Sequence, residues 1–183
     1  MTPRKKRKMS SSTPEGSPAG ISPDERLTAA VVTVSDSSAR GERADLSGPA
    51  VAEILKQRKF AVVATEIVAD EQAEIQKTII RLADQARLVV TTGGTGIAAR
   101  DVTPEATRAV CDRILEGVAE RMRFEGSRKT PMAALSRGLC GVRGRSLILN
   151  VPGSPRGAAE SLEAVVDLLP HALALLGGDT RHG

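Results

Sequence analysis

Between Thr91 and Thr107 the chain reads TTGGTGIAARDVTPEAT, which sets Gly93, Gly94 and Gly96 directly after the apolar run RLVV. Glycines in such a loop let backbone N–H groups approach an anion closely, and a helix opening near Thr103 and Pro104 turns its positive end toward the same place. The segment PGSP, Pro152 to Pro155, repeats the device, with Ser154 as helix N-cap and Pro155 as first helical residue. Two acids stand beside these anion sites, Asp101 in the first loop and Asp70 in the segment ADEQ. Carboxylates alone would repel a phosphate there. A Mg²⁺ ion removes the conflict, since one or two carboxylates together with phosphate oxygens are its usual ligands. A plainer reading makes Asp70 a helix cap and Asp101 a turn residue. His171 falls on the final helix and His182 near the end of the chain, so neither reads as a general base, and no Cys–His or Ser–His arrangement is evident. Metal-assisted transfer of a phosphoryl or nucleotidyl group fits this set of residues.

Two better-known phosphate motifs do not fit. GTGIAA, Gly94 to Ala99, matches G-x-G-x-x-G/A after a strand. In a dinucleotide site the helix begins within the glycines, whereas here Asp101, Val102, Thr103 and Pro104 delay it, and the strand is the third of the chain. A P-loop is excluded because no Gly-Lys-Ser/Thr follows.

The elements that must carry these loops alternate from Leu27 onward. LTAAVVTVS, FAVVATEIVA, RLVVTT and RSLILNV read as four apolar, β-branched strands. Helices separate them: SGPAVAEILKQRK, opened by Ser47 and Pro49; DEQAEIQKTIIRLADQA, with Ile75, Ile79, Leu82 and Ala86 on one face; and one starting near Thr103. A last long helix carries Leu162, Val165, Val166 and Leu169 on one face, and Pro170 bends or restarts it. Between Gly117 and Gly144 only a helix near Val118 to Phe124 is legible. Strands this apolar are expected to be buried on both faces and, being separated by helices, to pair in parallel. The predicted fold is α/β, a doubly wound three-layer sandwich around a mostly parallel central sheet. Such a sheet binds ligands beyond the carboxyl ends of its strands, and the four strand exits here are SDSSARGERADLSGP, ADEQ, GGTGIAARDVTP and NVPGSP. One pocket should collect all four.

Composition narrows the function classes. A chain of 183 residues, 40% hydrophobic and 26% charged, is expected to make one globular domain. No run approaches the roughly 18 apolar residues of a membrane span, so a soluble, cytoplasmic protein is expected. The formal charge of +4 includes five positive charges from Arg4, Lys5, Lys6, Arg7 and Lys8, so the remainder of the chain carries −1. The basic character thus belongs to a Ser/Pro/Gly-rich segment, residues 1–26, expected to be disordered. Phe60 and Phe124, the two aromatics, offer no stacking platform for bases, and a nucleic-acid partner is not expected. Cys111 and Cys140 lack metal-ligand spacing and read as core residues of a reduced protein.

The ordered motifs VTVSDSSARGERADLSGPAV, ADEQ, VVTTGGTGIAARDVTPEAT, LSRGLCGVRGRSLILNVPGSP and LPHALALLGGD resemble the molybdopterin-binding family that includes MogA, MoaB and the G domains of gephyrin and its plant counterpart. The resemblance runs from about Leu27 to Asp179, which marks 27–179 as the domain and leaves 1–26 and 180–183 as tails. It implies a molybdopterin adenylyltransferase of molybdenum cofactor biosynthesis, which moves AMP from ATP to the terminal phosphate of molybdopterin and releases pyrophosphate. It further implies a Mg²⁺-dependent homotrimer whose product passes to a molybdenum insertion protein. The family's two essential aspartates fall on Asp70 and Asp101. Ser136 and Arg137, in LSRG, match a position near the pterin phosphate, although an exposed, solvated arginine is the plainer account of Arg137. Ser35 and Asp36 at the first strand exit, Gly93, Gly94, Thr95 and Gly96 at the third, and Pro152, Gly153, Ser154 and Pro155 at the fourth complete the implied substrate-binding set. The alternative is a MoaB-like binding or scaffold protein that holds molybdopterin without adenylyl transfer.

Overall fold

The computed structural model describes residues 27–178; the expected tails at 1–26 and 180–183, and His182, lie outside them. In chain order the elements are β1 (Thr28–Val34), α1 (Asp36–Ala39), α2 (Ser47–Gln57), β2 (Ala61–Val68), α3 (Gln72–Ala83), β3 (Leu88–Thr92), α4 (Thr103–Val110), β4 (Arg113–Ile114), α5 (Glu116–Ser127), β5 (Cys140–Arg143), β6 (Ser146–Val151), α6 (Pro155–Glu163) and α7 (Leu169–Leu176). Short 3-10 turns at Pro131–Leu135 and Val166–Leu168 complete the set.

One sheet of six strands runs in the order β2-β1-β3-β6-β5-β4. The four strands legible from their apolar runs are parallel, and their register aligns their carboxyl ends. Val34 pairs with Val68, Thr33 with Thr92, and Thr92 with Val151, so the exits stand in one row. Helices cover both faces. Val51 and Leu55 of α2, Leu162 of α6 and Leu173 of α7 join one core, and Ile75, Ile79 and Leu82 of α3 with Ala106 and Val110 of α4 join the other. The three-layer α/β sandwich is thereby borne out. Both cysteines are free, and burial pushes the Cys140 thiol up to about 12, so it stays protonated as a core residue.

The structure corrects three local expectations. The strands β5 and β4 form an antiparallel edge, Cys140 pairing with Leu149 and Arg113 with Val142; two strands so short show no readable period. The edge strand β2 is not buried on both faces, because one side of it stays open among the described residues, and Val63 and Ile67 are 51% and 46% exposed. The last long helix stops at Glu163, where Arg121 of α5 donates from Nε to the Ala164 carbonyl at 2.7 Å, and α7 restarts at Leu169 with Pro170 in its first turn. Val165 and Val166 stay buried through that break. Among the described residues no helix is long and apolar enough to cross a membrane.

Asn150, 1% exposed, locks the end of β6 in place. Its Nδ2 donates to Thr91 Oγ1 at 2.8 Å and Thr107 Oγ1 at 2.9 Å, while its Oδ1 accepts the Leu139 N–H. Asn150→Ala leaves these partners without it in a buried position and is expected to cost about 2–3 kcal/mol in chemical denaturation. An unchanged denaturation midpoint would show that the network carries no stability.

Candidate active site

Beyond the row of strand exits lie two adjoining clefts. The first, of about 390 Å³, takes Ser35, Ser38, Arg43 and Asp45 from the β1 exit, Asp70 from the β2 exit, Gly93, Gly94 and Asp101 from the β3 exit, and Gly153, Ser154 and Pro155 from the β6 exit. All four exits thus meet in one pocket. The second, of about 410 Å³, is lined by Thr95, Gly96, Ser136 and Pro152, by Met132, Ala133 and Leu135 as its apolar part, and by Glu160 and Ser161. Gly94, Asp101, Gly153 and Ser154 belong to both linings and form the wall where the clefts meet.

The glycine loop has a fixed shape. Gly93 and Gly94 take φ of 104° and 61°, a region that side chains disfavour. Thr103 clamps the turn, donating from Oγ1 to the Gly93 carbonyl at 2.9 Å and from its N–H to the Gly94 carbonyl at 3.1 Å. The first N–H of α4 is therefore spent on the loop and is not offered to a ligand. The Gly93 N–H is likewise spent, on the Val151 carbonyl. The N–H groups of Gly94, Thr95, Gly96, Gly153 and Ser154 donate to no protein acceptor among the described residues. Ser154 caps α6 as expected, its Oγ accepting the Gly157 N–H at 3.2 Å.

Asp70 is not a helix cap. Glu71 holds the N-cap position of α3, and Asp70 instead exchanges hydrogen bonds with Asp36: the Asp36 N–H donates to Asp70 Oδ2 at 2.9 Å, and the Asp70 N–H to Asp36 Oδ1 at 3.0 Å. Asp36 lines neither cleft, and Arg100 also pairs with it. The Asp70 N–H, followed by the nearby guanidinium, holds the Asp36 carboxyl below its ordinary range. Burial pushes the Asp70 carboxyl above the ordinary range, and the negative charges of Asp36 and Asp101 add to that push. Asp101 Oδ2 accepts the Ala98 N–H at 2.8 Å. Asp70 and Asp101 thus line one cleft, with Asp45 as its third carboxylate, an arrangement that a divalent cation would relieve. Among the described residues no three His, Cys, Asp or Glu side chains cluster as metal ligands. An ion here would complete its shell with ligand oxygens, which suits Mg²⁺.

Arg137 lines neither cleft. Its guanidinium sits behind the glycine loop, donating to the Gly96 carbonyl at 2.6 Å and the Asp101 carbonyl at 2.5 Å and pairing with Glu105. It positions the loop bearing Asp101.

Residues 30–171 match the family described as a probable molybdopterin binding domain. The chain belongs to this family. It is 44% identical over 153 residues to a molybdopterin adenylyltransferase of Helicobacter pylori, covering 81% of this chain and 87% of that protein. With the molybdopterin adenylyltransferase of Escherichia coli K12 it shares 42% identity over 145 residues, 77% of this chain and 74% of the relative. Among solved structures, the molybdopterin biosynthesis enzyme MoaB of Thermus thermophilus superposes with a TM-score of 0.79 at 55% identity, over 83% of this chain and 97% of that one.

Several lining residues of this molybdopterin-binding domain escape a reading by motif. Asp45 bonds Thr33 Oγ1 at 2.6 Å and accepts the N–H groups of Ser47 and Gly48 at 3.0 Å each, tying the start of α2 to β1. Its position before SGP at a helix start was the available signal. Arg43, Met132 and Leu135 carry no local signal, because only the fold brings them to the clefts.

Proposed function

We propose that this chain is a molybdopterin adenylyltransferase, joining AMP from ATP to the terminal phosphate of molybdopterin and releasing pyrophosphate. The observation that carries the reading is the pair of clefts meeting along Gly94, Asp101, Gly153 and Ser154, a wall with unspent N–H donors and a carboxylate. Two substrates can then approach a shared phosphate position from two sides.

The pterin phosphate is already an anion and needs no base, so the barrier to overcome is repulsion between it and the triphosphate. Asp70 and Asp101 would hold Mg²⁺ here, and the ion would supply charge neutralisation at the reacting phosphates. The N–H groups of Gly94 to Gly96 and of Gly153 and Ser154 bind phosphate oxygens and orient them. Arg137 and Thr103 keep the glycine loop in place. The apolar wall of Met132, Ala133 and Leu135, with Ser136, Ser161 and Glu160 nearby, suits a planar heterocycle with polar edges.

The same reading carries a cytoplasmic homotrimer whose product passes to a molybdenum insertion protein, with 27–179 as the domain and 1–26 and 180–183 as tails. Exposed Val63 and Ile67 on the edge strand β2 support self-association, which would cover them. Incubating the purified protein with ATP, Mg²⁺ and molybdopterin is expected to release pyrophosphate in step with pterin consumption. Binding of molybdopterin without pyrophosphate release would make the protein a carrier instead.

A further inference from the structure

The arginines around the strand exits are almost all committed. Arg40 grips Glu42 at 2.7 and 2.9 Å, Arg100 pairs with Asp36 and Glu71, Arg137 holds the loop, and Arg156 pairs with Glu160 at 2.9 Å. Arg43 is different. It lines the first cleft, and among the described residues its side chain has no hydrogen bond or ion pair. No other Arg, Lys or His among the described residues lines either cleft.

Its backbone is nevertheless anchored. The Glu42 and Arg43 N–H groups both donate to the Ser37 carbonyl, at 2.9 and 3.3 Å, and Asp45 ties the following residues to β1 and α2. A fixed base thus presents an uncommitted guanidinium to a cleft otherwise lined by hydroxyls, free N–H groups and carboxylates. A planar guanidinium meets phosphate oxygens two at a time.

We infer that Arg43 is the residue that takes the leaving pyrophosphate, an assignment that rests on the adenylyl-transfer reading of the same site. In the transfer an oxygen of the pterin phosphate forms a bond to the α-phosphorus of ATP. The bond from that phosphorus to the bridging oxygen breaks, and the pyrophosphate departs with the electron pair. Attacking and leaving oxygens stand roughly in line on opposite sides of the phosphorus. With the apolar-walled second cleft holding the pterin, the leaving group faces the first cleft, where Arg43 neutralises its growing charge.

Calorimetric titrations of the full chain with inorganic pyrophosphate, ATP and AMP in the presence of Mg²⁺ test this. Arg43→Gln is expected to weaken pyrophosphate and ATP by about ten- to a hundredfold and leave AMP unchanged, with Arg43→Lys in between. Its melting temperature should match the parent's, since among the described residues the side chain has no hydrogen bond or ion pair to lose. Unchanged pyrophosphate binding, or an equal loss for AMP, would overturn the assignment, as would a parent protein that binds no pyrophosphate. A parent that binds pyrophosphate through Arg43 yet releases none from ATP and molybdopterin would support the anion site while removing the transfer reading.

Discussion

Asp101→Asn is expected to lower turnover by about a hundredfold or more, close to 3 kcal/mol of transition-state stabilisation, with little change in melting temperature. The separation of the two effects follows from the geometry. The structural task of Asp101 is to accept the Ala98 N–H through Oδ2, and the amide oxygen of Asn can do the same. The charge that would attract Mg²⁺ is lost. Asp70→Asn should behave alike, because its structural bond is acceptance of the Asp36 N–H, which an amide oxygen also makes. Either change also removes a negative charge from a cleft meant for anions, so molybdopterin should bind as tightly as to the parent or more tightly. Pterin affinity and turnover are to be measured side by side. Normal turnover with a lowered melting temperature would mean that the carboxylates only brace their loops, and the metal-site reading would be abandoned.

Gly93→Ala is expected to cost at least about 3 kcal/mol of stability, lowering the melting temperature by roughly 6–12 °C in a domain of this size. Two penalties combine. At φ of 104° an alanine is strained, and its methyl group would be driven onto the Val34 carbonyl oxygen, a backbone atom that cannot move aside. The strand ends must then part, and Gly153, whose added Cβ would lie 3.0 Å from the Gly93 Cα, shifts with them. Activity should be lost along with stability. Gly144→Ala is the control: φ there is 55° and nothing lies within 4 Å, so only a backbone cost of about 1 kcal/mol applies. Equal losses in the two variants would show that the close approach to Val34 is unimportant.

The four parallel strands and the helices between them were legible because each is a long apolar run or a clean 3.6-residue pattern. Val89, Val90, Leu149 and their neighbours are apolar for a local reason, burial in the middle of a sheet, and that reason is written residue by residue. The loops were legible too, since Gly93, Gly94 and Ser154 answer to backbone conformation and helix capping, both local demands. From these alone it followed that the polar exits would gather at one end. What the motifs could not express is pairing between distant side chains. Asp70 looked like a cap because ADEQ precedes a helix; its exchange with Asp36 depends on β1 and β2 lying side by side in register. Arg137 looked like a ligand for phosphate, and its course behind the loop depends on how the segment before β5 crosses the end of the sheet. The division of the site into a polar cleft holding Arg43 and an apolar-walled cleft holding Met132 and Leu135 arises only where α5, carrying the turn after it, packs beside α6, since no short stretch of sequence specifies which distant side chains will face one another.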